Sequence, residues 1–315
     1  MFYIETDAMI SPKLLSKGSK VAIVATARFV TEKDIEPALR RLEAMGFIPV
    51  YDERLFAVCD QFAGDDEWRA ATLQSYLDDP EIDAILCARG GYGTVRIIDK
   101  INFENFLLNP KWIIGYSDVT VLHAHLQSIG CESLHATMPI NFSDNTEEAL
   151  NSLYEALTKG NLSYEMESAP INICGEAEGE LVGGNISVLY SLLGSSSFPD
   201  TDGKILFLED LDEYLYHIDR MMAALKRAGK LDNIKGLVVG GLTKMHDNAI
   251  PFGKNAEQII LEYVKDKGIP VCFNFPAGHI DDNRAMVFGR KIRLAVSYQR
   301  SALRHTDSPF QLLTE

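Results

Sequence analysis

No apolar run in this 315-residue chain approaches the roughly 20 residues that cross a bilayer. The opening segment, MFYIETDAMISPK, has acidic side chains and no basic stretch followed by an apolar one, so it does not read as a secretion signal. Cysteine is sparse. Cys59, Cys87, Cys131, Cys174 and Cys272 are odd in number, far apart and never in C-x-x-C spacing. That argues against a disulfide framework or a zinc ribbon, and a reducing cytoplasm is the expected location. Basic residues are outnumbered, 30 Lys and Arg against 45 Asp and Glu, for a formal charge of −15. Phosphate backbones and anionic membranes call for clustered cations, so neither nucleic acid nor a membrane is an expected partner. Metal-ligand spacing is absent too. His123 and His125 sit two apart on a helical stretch, where they point to different faces, and nearby His135 reads as an ordinary core histidine. No metal and no cofactor is expected.

What remains is ordinary globular material, 46% hydrophobic and 24% charged, long enough for two domains. Short apolar runs alternate with helical patterns over the first 140 residues. Strands are expected at Val21 to Ala25, Phe47 to Tyr51, Ala84 to Cys87 and Lys111 to Gly115. Helices are expected at Glu32 to Met45, Asp66 to Leu77, from Thr94, and at Val119 to Gln127. This alternation implies an α/β fold with a mainly parallel sheet flanked by helices. Ligands then collect beyond the carboxyl ends of the strands, at Ala25 to Phe29, Arg89 to Gly93 and Tyr116 to Thr120. A polar stretch follows, with one helix at Glu147 to Leu157. The boundaries read as a domain over 1–160, a linker over 161–178, and a smaller α/β domain over 179–315. In the last, strands are expected at Lys204 to Leu208, Leu237 to Gly240, Val271 to Asn274 and Ile292 to Ser297. Helices are expected at Ile186 to Leu193 and Tyr216 to Gly229.

Several strand ends carry chemistry. Arg89-Gly90-Gly91-Tyr92-Gly93-Thr94 lies between a strand and a helical pattern. It reads either as a tight turn needing positive φ or as a backbone cradle for an anion; its spacing fits neither a dinucleotide fingerprint nor a phosphate loop. Ser117, in Gly115-Tyr116-Ser117-Asp118-Val119-Thr120, occupies the next strand-to-helix turn, the place of a nucleophile elbow. Taken alone it reads as a helix N-cap. Glu209 and Asp210 end one apolar strand and His279 ends another, after Gly278. Strand alternation puts Glu209 on the side of Ile205 and Phe207 and turns Asp210 away, so one acid of the pair is expected to face a cleft.

In this order the segments resemble the LD-carboxypeptidase family, serine peptidases that include muramoyl-tetrapeptide carboxypeptidases and microcin C immunity proteins. The resemblance runs from Leu15–Ala25 through Phe62-Ala63-Gly64-Asp65-Asp66-Glu67 with Arg69, Ala88–Gly93 and Gly115–Thr120. It continues through Gly183-Gly184-Asn185, Phe207-Leu208-Glu209-Asp210 with Asp219-Arg220, and Pro276-Ala277-Gly278-His279. It implies Ser117 as nucleophile, His279 as general base and Glu209 as the orienting carboxylate, with backbone N–H groups of Gly91 and Asp118 as the oxyanion hole. It implies an N-terminal sheet domain, a barrel-like C-terminal α/β domain, a site between them and a homodimer. The implied substrate is a murein tetrapeptide cut at an L,D bond during cytoplasmic cell-wall recycling. Arg89, Arg96 and Arg284 are positional candidates for holding its terminal carboxylate. The other readings are a microcin C immunity-like hydrolase of peptidyl-nucleotide conjugates and a non-catalytic ligand-binding homologue. The chain departs from the family pattern after its first strand, at Ala25-Thr26-Ala27-Arg28, where small residues and a proline are common.

Overall fold

A computed structural model describes residues 9–306. The first half runs β1 (Lys20–Val24), α1 (Glu32–Ala44), β2 (Ile48–Val50), α2 (Asp66–Asp78), β3 (Ala84–Cys87), α3 (Glu104–Leu108), β4 (Trp112–Gly115), α4 (Thr120–Ser128), β5 (Ser133–His135) and α5 (Glu147–Thr158). The second half runs β6 (Ser163–Glu167), β7 (Gly175–Asn185), α6 (Ile186–Leu192), β8 (Ile205–Leu211), α7 (Leu215–Arg227), β9 (Gly236–Thr243), α8 (Ala256–Glu262), β10 (Val271–Cys272), β11 (Met286–Phe288), β12 (Lys291–Val296) and β13 (Arg300–His305).

The first sheet has the order β11-β5-β4-β3-β1-β2. Its central strands are parallel, and β3 and β4 are buried along their whole length, which is why they read as unbroken apolar runs. The outer strand β11 comes from the second half of the chain and pairs antiparallel with β5. The second sheet has the order β10-β9-β8-β7-β12-β13-β6. Strand β7 serves two partners: Gly175–Glu180 pairs antiparallel with β12, and Leu181–Asn185 runs parallel to β8. Residues 161–178, expected as a linker, hold β6 and the start of β7. The alternating burial of β6 leaves too little apolar length to announce a strand.

The helix expected from Thr94 is instead two short 3₁₀ turns, Thr94–Arg96 and Ile98–Lys100. Thr94, Val95, Ile97, Ile98 and Ile101 are β-branched and stiff, and they propagate an α-helix poorly. The helix at α2 starts where the sequence places it, because Asp65 accepts a hydrogen bond from the Trp68 N–H at 2.7 Å.

The two sheets share one core, in which Leu134 and Ala136 pack with Phe207, Val238 and Phe275. Strand β7 of the second sheet ends against α4. A Cβ on Gly184 would lie 2.6 Å from the Thr120 side chain, and the Asn185 N–H donates to Thr120 Oγ1 at 3.0 Å. The helix after the nucleophile turn is thereby docked on the end of the second sheet.

Candidate active site

Strand β4 ends in Gly115, whose φ of 156° opens the turn; a Cβ there would lie 2.8 Å from Val119. Ser117 follows at φ 63°, a left-handed conformation that is uncommon for a residue with a side chain. It makes no side-chain cap to the helix behind it, so the N-cap reading gives way to an elbow that lifts the hydroxyl off the sheet. Gly90 packs on this elbow: a Cβ on it would lie 2.9 Å from Ser117 Cβ and 3.3 Å from the Asp118 nitrogen.

The glycine-rich turn and the elbow are also joined chemically. The Asp118 carboxylate turns inward and accepts the Thr94 N–H at 2.8 Å; burial pushes its carboxyl up. Buried Arg69 donates to the carbonyls of Thr26 and Gly93, at 2.6 and 2.9 Å, and pairs with Asp66. It ties the end of β1 to the same turn.

His279 faces the elbow from the second half. Its Nε2 lies 3.0 Å from Ser117 Oγ, and its Nδ1 lies 2.7 Å from Glu209 Oε2, which also accepts the His279 N–H at 3.2 Å. A carboxylate can only accept, so the proton sits on Nδ1 and Nε2 is left free to accept from the serine hydroxyl. Glu209 is fully buried behind the ring. Burial pulls the imidazole down, but the Glu209 charge and hydrogen bond outweigh it, and the histidine lies above its ordinary value. Gly278, at φ 100°, permits this approach: a Cβ there would lie 2.7 Å from Glu209 Oε2. The Tyr116 ring packs against the imidazole at a centroid distance of 4.9 Å.

One acid of the pair does line the cleft, but it is Asp210; Glu209 is fully buried and reaches the cleft only through His279. Strand β8 ends at the cleft, with a register shift against β9 between Leu208 and Asp210. Asp210 accepts from Asn185 Nδ2, the Ser187 N–H and hydroxyl, and the Leu211 N–H, at 3.0, 3.0, 2.7 and 2.8 Å. Burial and the neighbouring Glu209 push its carboxyl up to about 6 against these donors.

The cleft between the halves has a volume of about 560 Å³. Ser117, His279, Gly91 and Asp118 line it. Arg89, Arg96 and Arg284 do not, and each is taken up nearby: Arg89 donates to the Phe29 carbonyl, Arg96 pairs with Asp66, and Arg284 pairs with Asp282. Sequence position alone cannot reveal such local capture. Among the described residues, the arginine that does line the cleft is Arg28, at a strand end where ligands were expected to collect.

The histidine pair is structural. Buried His123 bridges the Gly115 carbonyl and the Ser133 hydroxyl, each at 2.9 Å, and burial pushes its imidazole down to about 4. Half-buried His125 contacts the Ser197 hydroxyl. Among the described residues no three His, Cys, Asp or Glu side chains converge as a metal site.

This chain matches the models of the LD-carboxypeptidase N-terminal domain over residues 21–136 and of the LD-carboxypeptidase C-terminal domain over residues 178–294. It is 36% identical over 290 residues to a Bacillus subtilis protein named "Probable murein peptide carboxypeptidase", covering 89% of this chain and 90% of that one. The crystal structure of muramoyltetrapeptide carboxypeptidase from Oxalobacter formigenes superposes with a TM-score of 0.84 at 27% identity, over 93% of this chain and all of that one. MccF in complex with glutamyl sulfamoyl guanosine also gives 0.84, at 20% identity over 94% of this chain and 98% of that one, a likeness of fold. With both domain models matched in sequence order and a relative above 30% identity along most of its length, the chain belongs to the LD-carboxypeptidase family.

Proposed function

We propose that this protein is a serine-type LD-carboxypeptidase that removes a C-terminal D-amino acid from a murein tetrapeptide. The observation that carries the reading is the continuous hydrogen-bonded line from Ser117 through His279 to buried Glu209, reaching across the cleft between the two halves.

In the proposed reaction, Ser117 Oγ attacks the scissile carbonyl carbon while its proton passes to His279 Nε2. The tetrahedral oxyanion is held by the N–H groups of Gly91 and Asp118, in the two turns that pack together at Ser117. The imidazolium then protonates the leaving amine, the D-residue departs, and an ester remains on Ser117. Water, deprotonated by the same imidazole, hydrolyses it. Glu209 fixes the tautomer and stabilises the imidazolium. Donors of the oxyanion kind typically contribute about 100- to 1,000-fold each.

A peptide fits better than a peptidyl nucleotide. A base is usually held by stacking, and among the described residues Tyr92 is the one Phe, Tyr or Trp lining the cleft. We place the reaction in the cytoplasm, in cell-wall recycling, and carry forward a homodimer; both rest on the family. No helix among the described residues is long and apolar enough to cross a membrane.

The test is incubation with L-Ala-γ-D-Glu-diaminoacid-D-Ala and, separately, with a peptidyl nucleotide, followed by mass spectrometry. Release of D-alanine alone from the tetrapeptide, absent in Ser117→Ala, supports the reading. Cleavage confined to the nucleotide conjugate overturns it.

A further inference from the structure

We propose that Arg28 binds the α-carboxylate of the substrate's C-terminal residue and so selects for a free peptide end. The inference rests on the carboxypeptidase reading and names the side chain that makes the enzyme act at a terminus.

The cleft is short of cations. Arg28 is the one Lys or Arg among the described residues that line it, whereas Asp118, Asp210, Asp212 and Glu213 all border it. A peptide ending in a carboxylate would meet a net negative wall unless one group offset it, and at separations of a few ångströms, well inside a Debye length of about 8 Å, that repulsion is felt. Arg28 is exposed and forms no ion pair or side-chain hydrogen bond among the described residues, in contrast to Arg89, Arg96 and Arg284. Its guanidinium presents a planar fork of donors that matches a carboxylate in two-point contact.

The residue is also held where it would be needed. Its backbone is fixed on both sides, since the Ala27 carbonyl accepts from the Ala63 N–H at 3.0 Å and the Phe29 N–H donates to the Gln61 carbonyl at 3.3 Å. Its side chain lies along the glycine-rich turn: a Cβ on Gly91 would fall 2.7 Å from Arg28 Cδ and 2.8 Å from Nε. Gly91, at φ 113°, therefore leaves room for the arginine stem. The adjacent Gly90 packs on Ser117. Two consecutive glycines thus take the arginine stem and Ser117 against one turn, and both residues line the cleft. A carboxylate bound there belongs to the C-terminal residue, whose amine leaves when Ser117 attacks the carbonyl of the residue before it.

The experiment uses the full chain and a matched pair of substrates, the tetrapeptide with a free C-terminal carboxylate and the same peptide as its C-terminal carboxamide. Hydrolysis is measured for wild type, Arg28→Ala and Arg28→Lys. Binding of both peptides is measured by calorimetry on Ser117→Ala with and without Arg28→Ala. Wild type should prefer the free acid. Arg28→Ala should lose about 10- to 100-fold in kcat/KM on the acid, mainly through KM, and bring the two substrates close together; Arg28→Lys should fall between. An acid-to-amide ratio unchanged in Arg28→Ala overturns the inference while leaving the reaction standing. If the free acid binds, Arg28→Ala weakens it and no variant cleaves it, the reaction is wrong and the carboxylate site stands. Failure of wild type to hydrolyse the free acid, together with failure of Ser117→Ala to bind it, overturns both.

Discussion

The two halves of the chain hold their parts of the cleft by different means. The first half positions Ser117 through backbone shape. Gly115 opens the turn, Ser117 itself takes φ 63°, and Gly90 presses on it with no room for a methyl group. The second half positions His279 through side-chain acceptors, with Glu209 taking two of its N–H groups and Asp210 collecting four donors at the neighbouring strand end. The serine side should therefore be sensitive to added volume, and the histidine side to lost charge and lost acceptors.

The largest effect tests whether the halves act as one. Ser117→Ala should lower turnover on the order of 10⁶-fold, and adding His279→Ala should cost little more, because members of a triad act as a unit. Losses that multiply would separate the halves. Next in size is Glu209→Gln, an isosteric change expected to cost on the order of 10⁴-fold in turnover with the fold retained.

The same variant has a pH signature. The base must be neutral, so kcat/KM should rise through the histidine's own titration, above pH 6.5 in wild type, where Glu209 outweighs burial. Removing that charge should move this limb to lower pH. The histidine is raised in the folded state, so the stability from its pair with Glu209 is complete below the unfolded value of 6.5 and is lost as pH rises through the folded value. Wild type should thus exceed Glu209→Gln in melting temperature by more at pH 5.5 than at pH 9.

On the serine side, Gly90→Ala places a methyl group 2.9 Å from Ser117 Cβ and should cost about 100- to 1,000-fold in kcat, as loss of an oxyanion donor does. A normal rate there would show that the elbow yields. The smallest effect is Asp210→Asn, which puts an amide among four donors. It should lose less than about tenfold in kcat, against a fall in melting temperature of about 2–6 °C measured calorimetrically.

The same contrast explains what could be read from the sequence. Ala84–Cys87 was legible to the residue, because a parallel strand buried on both faces is an unbroken apolar run. The antiparallel strands Ser163–Glu167 and Arg300–His305 were not: the first alternates with exposed polar residues, and the second has only Ala302 and Leu303 as apolar residues in its six. Met286–Phe288 was hidden for another reason: it crosses to the first sheet, pairing with Ser133–His135, and no local pattern encodes so distant a partner.

In the cleft, the residue types at strand ends and the family resemblance pointed to Ser117, Glu209 and His279. The left-handed turn at Ser117 carries no sequence mark beyond the glycines around it, so the residue taken alone looked like a cap. Arg28 was passed over because an arginine after a strand is common. What distinguishes it is that Arg96 and Arg284 have acids to pair with, and Arg89 a carbonyl, while Arg28 has the open cleft.

In the proposed reaction Ser117 Oγ is the atom acylated during cleavage of the L,D bond. Rapid acid quench of the enzyme with an excess of tetrapeptide, followed by proteolysis and mass spectrometry, tests it directly. The expected result is a tripeptide acyl group, added with loss of the D-residue, on the peptide that contains Ser117, rising before steady state and absent in Ser117→Ala. Steady D-alanine release from Ser117→Ala at a rate near wild type, with no acylated Ser117 in the wild-type quench, would contradict it.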